Sequence, residues 1–62
     1  GKNRMKDIQN YFNEECYYHH NVSEWVLHYY FNDKCITFVS YEKMGVKVAF
    51  ETFINNLTNG GK

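Results

Sequence analysis

The side chains with the richest chemistry in this 62-residue chain are two cysteines and three histidines, Cys16, His19, His20, His28 and Cys35. The spacing of Cys16 and His19 is compatible with a pair of zinc ligands, and a structural zinc would suit a core this small. The chain has no Cys-x2-Cys pair, however, which weakens the case for zinc. We therefore expect no metal and no other cofactor, and keep a zinc-stapled domain built on Cys16, His19, His28 and Cys35 as the least favoured alternative.

Catalysis has little support in these residues. A cysteine nucleophile needs a neighbouring imidazole and a cleft that excludes water, and a short chain offers little room for a cleft. The sequence also has no glycine-rich phosphate loop, no Gly-x-Ser-x-Gly and no His-Glu-x-x-His. We expect that the protein is not an enzyme.

The N-terminal residues bear on the cellular compartment and therefore on the redox state of the cysteines. No apolar segment follows the polar residues 1–4, so nothing there resembles a secretory signal. We expect a cytoplasmic protein whose Cys16, at the inner edge of a helix, and Cys35, half-buried in a strand, are reduced thiols and not a disulfide. Residues 1–4 precede Met5 and are either a cloning remnant or the margin of a longer chain.

Composition indicates one small folded domain over residues 1–62. Aromatic residues make up 19% of the chain, which favours a packed core over disorder. The formal net charge is zero, so no basic field attracts phosphates, and no apolar run approaches the length of a membrane span. Abundant asparagine and lysine and the lack of proline suggest a low-GC bacterium or its phages and plasmids.

The first predicted element is an amphipathic helix over about residues 4–16. Its apolar positions are Met5, Ile8, Phe12 and Cys16, and Asn3 is a candidate N-cap. Residues 17–21 fit a helical extension, a short strand or a loop, and we treat them as a connector.

A β-hairpin over about 24–31 and 35–41 is the firmest structural prediction, because β-branched and aromatic residues flank a turn at residues 32–34. A two- or four-residue loop pairs Leu27 with Phe38 and Tyr29 with Ile36. One face, the predicted core, then holds Trp25, Leu27, Tyr29, Ile36 and Phe38. The opposite face, termed the outer face below, holds Val26, His28, Tyr30, Cys35, Thr37 and Val39.

The last third of the chain has two interpretations. In the first, Ser40 caps a helix that ends at Asn59-Gly60-Gly61, with an apolar stripe of Val46, Ala49, Phe50, Phe53, Ile54 and Leu57. In the second, Gly45 marks a turn before a strand over 46–50 and a short helix. The helix is preferred because the stripe is unbroken. The predicted fold class is α+β, with the order α-β-β-α, or α-β-β-β-α with a three-stranded antiparallel sheet.

An isolated hairpin leaves strand edges unpaired, so a third strand, a second copy of the chain or a partner's strand should complete the sheet. This favours a small protein-interaction module, a regulator or inhibitor, that binds through the hairpin edge and the outer face. The binding residues would be His28, Tyr30, Thr37 and Val39, with Trp25 if the helices leave it uncovered. An equally weighted alternative is that the N-terminal helix covers this face.

Nucleic-acid binding is a second functional alternative, because His28 and Tyr30 could stack on unpaired bases. The lysines are scattered along the sequence and form no continuous phosphate track. Another protein or a second copy is therefore the preferred partner, and a membrane is not expected.

Overall fold

The computed structural model describes residues 4–59, with side chains for 5–58. It is an α+β domain in which two helices pack on a three-stranded antiparallel sheet of order β1-β2-β3. The elements follow the order helix-strand-strand-strand-helix: α1 (Arg4–Glu15), β1 (Tyr17–His19), β2 (Glu24–Phe31), β3 (Lys34–Ser40) and α2 (Lys43–Asn59). The predicted fold class, both helices and the hairpin are confirmed.

The third strand lies at residues 17–19, the segment that the sequence pattern left open. Tyr17 pairs with Val26 and His19 pairs with Glu24, after a tight loop in which Ser23 adopts a positive φ of 57°. The alternative strand over 46–50 is wrong, because these residues belong to α2. A helix is favoured there because the apolar positions recur every three to four residues, which places them on one buried face.

Two residues turn the chain between β2 and β3. Asn32 and Asp33 have φ values of 54° and 64°, the pair of positive angles of a type I′ turn, whose twist matches that of antiparallel strands. The observed register pairs Leu27 with Phe38 and Tyr29 with Ile36, as predicted.

Both helices lie against the face that was predicted to be the core. Leu27, Val46 and Phe50 are fully buried, and Phe12 and Ile54 nearly so. Aromatic edge-to-face contacts then bind the layers together, with ring centroids of Phe50 and Tyr29 5.2 Å apart and those of Phe53 and Phe38 5.7 Å apart. The abundance of aromatic residues is thus explained largely by this core.

Three residues of the predicted apolar stripes are exposed. Met5 and Leu57 lie in the terminal turns of α1 and α2, where the helices extend past the best-packed part of the core. Ala49 lies one turn after Gly45, on a flank of α2 and outside the core.

The junction of β3 with α2 is close-packed. The Ser40 hydroxyl accepts a hydrogen bond from the Glu42 amide at 3.3 Å, and the helix begins at Lys43. A Cβ atom added to Gly45 would lie 2.2 Å from Ser40 Oγ, so only glycine fits here without a shift. The predicted cap Asn3 and the predicted stop Gly60-Gly61 lie outside the described residues.

Candidate interaction surface

The outer face of the sheet is open to solvent in the part of the chain that the structure describes. Tyr30 is 72% exposed and Val39 is 53% exposed. Helix α1 reaches β2 from the opposite side, where Ile8, Tyr11 and Phe12 join the core. The alternative in which α1 covers the outer face is therefore wrong.

Strand β1 widens this face. Because Tyr17 pairs with Val26, and Val26 pairs with Val39 on its other side, these three side chains form a row across the sheet. Val26 is only 5% exposed, although it lies outside the core cluster. A small apolar layer therefore exists on the outer face, with Tyr17 and Val39 as its exposed flanks.

His28 stands at the centre of the outer face and is held at both ring nitrogens. Its Nε2 lies 3.1 Å from the Tyr17 hydroxyl, and its Nδ1 lies 3.0 Å from Thr37 Oγ1. A hydroxyl can donate or accept, so either tautomer of the imidazole is satisfied. The network joins all three strands and gives the ring a fixed orientation.

Cys35 lies beside this network and directly opposite Tyr30. Its Sγ is 4.0 Å from His28 Nδ1, and it is exposed, which corrects the expectation of half-burial. A hydrogen bond to the Cys35 side chain, together with the charge of that side chain when ionised, raises the pKa of Tyr30. The Tyr30 hydroxyl therefore remains protonated, and able to donate, across the neutral range.

Cys16 is in a different environment. It is half-buried and packs against the core, and burial raises the pKa of its thiol above the ordinary value of 9.0 while Lys43 lowers it less. Both cysteines are free thiols.

Among residues 4–59, no group of three or more histidine, cysteine, aspartate or glutamate side chains comes together at a spacing suited to a metal ion. The structure does bring together His28 and Cys35, both of which the predicted register had placed on the outer face. It places Cys16 against the core and His19 in β1, paired with Glu24. The described part of the chain also has no helix with the length and apolarity needed to cross a membrane.

Trp25 does not share the outer face with the other predicted binding residues. It is half-buried on the core side, with its ring centroid 5.3 Å from that of Tyr18 and 5.2 Å from the Lys43 ammonium. The remaining four, His28, Tyr30, Thr37 and Val39, occupy paired or diagonal positions on β2 and β3 of one face.

The edge of β3 is the longest unpaired strand edge in the described residues. Strand β3 has seven residues and pairs only with β2. The opposite edge consists of β1, with three residues, and of residues 27–31 of β2, which β1 does not reach; there the Tyr11 hydroxyl donates to the carbonyl of His28. That edge is therefore divided between two strands and partly occupied, whereas the β3 edge is one continuous strand.

Two contributors were not foreseen from the sequence. Tyr17 reaches His28 only because β1 exists, and the signal for β1 was the aromatic pair Tyr17-Tyr18 before a polar turn. The hydrogen bond from Tyr11 to the His28 main chain has no sequence signal.

Comparisons with known proteins return no match: none with protein-family models, none with curated proteins, and none with solved structures. The interpretation of the surface therefore rests on its geometry.

Proposed function

We propose that this protein is a small protein-interaction module, a regulator or inhibitor of a larger partner, which binds through the outer face and the β3 edge of its hairpin. The observation that carries the proposal is the position of both helices on one side of the sheet, which leaves a side with exposed apolar and aromatic groups uncovered in the described residues. The solvent-exposed face of an antiparallel sheet normally carries polar residues, so the exposed Tyr30 and Val39 indicate contact with a partner.

The chemistry of the face suits a protein surface. Tyr30 and Tyr17 offer large, stiff side chains whose hydroxyls can hydrogen-bond at the end of an apolar contact, a combination enriched at binding hot spots. His28 and Thr37 supply polar groups already fixed by the hydrogen bond between them, which reduces the entropy lost when a partner docks. Val39 adds apolar area beside the strand edge.

The test compares two tyrosines. Tagged wild-type protein is used to capture and identify partners from its source cells, and Tyr30→Ala is compared with Tyr41→Ala. Tyr41 is 78% exposed and follows the end of β3, so it is a matched control for an exposed ring that is not part of the sheet. We expect Tyr30→Ala to weaken binding of the captured partner at least about tenfold, the loss typical of a hot-spot residue, and Tyr41→Ala to leave it unchanged. Equal binding by both variants would contradict the proposal.

Nucleic acid is an outcome that the same experiment detects. Single-stranded oligonucleotides are titrated at low and high salt, because binding to phosphates weakens steeply as salt rises. Tight, salt-sensitive and Tyr30-dependent binding to an oligonucleotide would show that the outer face binds single-stranded nucleic acid, by stacking on a base, and not a protein.

A further inference from the structure

We infer that the β3 edge binds a second copy of this chain, so that two sheets join into one six-stranded sheet with all four helices on the same side. The inference rests on the proposed function and narrows it: with the β3 edge paired to a second copy, the larger partner binds through the outer face alone. The interface would be two-fold symmetric, with β3 antiparallel to its copy.

The direction of the main-chain groups in β3 follows from the turn. A two-residue type I′ turn closes from a hydrogen-bonded pair, here Phe31 and Lys34, and hydrogen-bonded pairs alternate with non-hydrogen-bonded pairs along the ladder. His28 and Thr37 are therefore a non-hydrogen-bonded pair. The Tyr11 bond agrees, because it occupies the His28 carbonyl on the side of β2 away from β3. It follows that Cys35, Thr37 and Val39 direct their amides and carbonyls to the free edge.

These three residues are equally spaced, which makes the edge self-complementary. A two-fold axis at Thr37 places Thr37 opposite its copy and Cys35 opposite Val39 of the copy, so every outward amide meets an outward carbonyl. The register described for β3 is continuous, with no bulge, and the strand contains no proline to block the edge.

The core side of β3 also favours this arrangement. Ile36 and Phe38 face the helices yet remain half-exposed, because β3 has no neighbour on its far side in the described residues. In the two-fold register each Ile36 lies opposite Phe38 of the copy. The pairing therefore covers apolar area of both chains and continues the aromatic core across the axis.

Helix α2 leaves room for the second copy. Gly45 abuts Ser40 at the end of β3, so the flank of α2 that contains Gly45 faces the strand. Ala49, Thr52 and Asn56 follow on this flank at helical spacing and are exposed. Short side chains here allow the two copies of α2 to approach beneath the joined sheet.

Charge does not oppose this register. Residues 35–40 of β3 carry no charged side chain, so no like charges meet along the paired strands.

The test is the mass of the full chain in solution, measured by light scattering over a dilution series. We expect a concentration-dependent rise from the chain mass of 7.5 kDa to twice that mass. A mass that stays at one chain up to about 1 mM, the limit of weak association, would overturn the inference.

A pair of variants at Cys35 assigns the interface. Cys35→Pro removes one outward amide and leaves in place the β2–β3 bonds and the four proposed binding residues of the outer face, since proline is tolerated at an exposed strand edge. Cys35→Ala keeps the amide and controls for loss of the thiol. We expect Cys35→Pro to raise the dimer dissociation constant at least about tenfold, because the dimer loses the two inter-chain hydrogen bonds donated by the Cys35 amides and the two β3 strands can no longer approach closely there. Cys35→Ala should change the dissociation constant less than about threefold. Equal dimerisation by both variants would overturn the edge assignment, and the wild-type mass decides self-association even if Cys35→Pro does not fold.

Failure here is distinguishable from failure of the proposed function. A monomeric wild type that still captures its partner in a Tyr30-dependent manner would refute self-association through the β3 edge and leave the proposed function standing. A dimer that persists in Tyr30→Ala, with no Tyr30-dependent partner, would refute partner binding through the outer face and leave self-association standing.

Discussion

The hydroxyl of Tyr11 donates a hydrogen bond to the main-chain carbonyl of His28, which ties α1 to the edge of β2 just beyond Tyr17, the first residue of β1. This bond joins the helical layer to the strand that carries the centre of the outer face. It also occupies a carbonyl that would otherwise extend the unpaired edge on this side of the sheet.

Tyr11→Phe removes the hydroxyl and leaves the ring contacts with Tyr29 and Phe50 in place. We expect the free energy of unfolding to fall by about 0.5–1.5 kcal/mol, the net value of one hydrogen bond. Urea unfolding measures this change, and Tyr41→Phe, at an exposed tyrosine, should stay within about 0.5 kcal/mol of wild type. A loss no larger than that of Tyr41→Phe would show that the bond contributes nothing.

Gly45→Ala tests the close approach of α2 to β3. Alanine favours a helix over glycine by about 1 kcal/mol, but its Cβ would lie 2.2 Å from Ser40 Oγ and 2.9 Å from Ser40 Cβ. We expect the clash to prevail and the variant to be destabilised by about 1–2 kcal/mol in thermal or urea unfolding. The same substitution in a Ser40→Gly background should lose this penalty, and a penalty that persists there would place its cause elsewhere.

Tyr30→Ala tests whether the Tyr30 ring is an exposed binding residue or part of the core. With Tyr30 at 72% exposure we expect a stability change within about 0.5 kcal/mol, whereas Leu27→Ala, at a fully buried position of the same strand, should lose about 2–5 kcal/mol. Urea unfolding of both variants makes the comparison. A large loss for Tyr30→Ala would mean that the ring holds the fold and is not free to bind.

The raised pKa of Cys16 predicts a loss of stability at alkaline pH. A thiol whose pKa is higher in the folded state stabilises the fold fully below its unfolded pKa, near the ordinary 9.0, and this stabilisation disappears as pH rises through the folded pKa. We expect the free energy of unfolding to fall as pH rises above about 8, and to fall less in Cys16→Ala. Identical slopes for the two proteins would exclude Cys16 as the cause.

The fold was largely predictable from local patterns. The hairpin followed from β-branched and aromatic residues on both sides of a short polar turn, its register from a two- or four-residue loop, and α2 from a stripe repeating at helical spacing. Strand β1 was not predictable, since three residues carry too little periodicity to separate a strand from a loop. The apolar stripes of α1 and α2 also predicted burial for Met5 and Leu57, which are exposed, because the helical pattern continues past the surface against which each helix packs.

The candidate site was predictable to the extent that register determines which side chains share a face. His28, Tyr30, Thr37 and Val39 follow from the hairpin alone. The contact of Tyr17 with His28 depends on β1, and the side of the sheet covered by α1 depends on long-range packing, so neither could be inferred from local sequence.

Hydrogen exchange of the β3 amides, resolved by residue in NMR spectra at low and high protein concentration, tests the central claim that this edge is an open binding surface. In dilute protein we expect the amides of Cys35, Thr37 and Val39 to exchange rapidly, and those of Ile36 and Phe38 to be protected by their bonds to β2. At high concentration the first three should become protected as the second copy pairs. Slow exchange of Cys35, Thr37 and Val39 in dilute monomer would contradict the account, because the edge would then be covered by the chain itself.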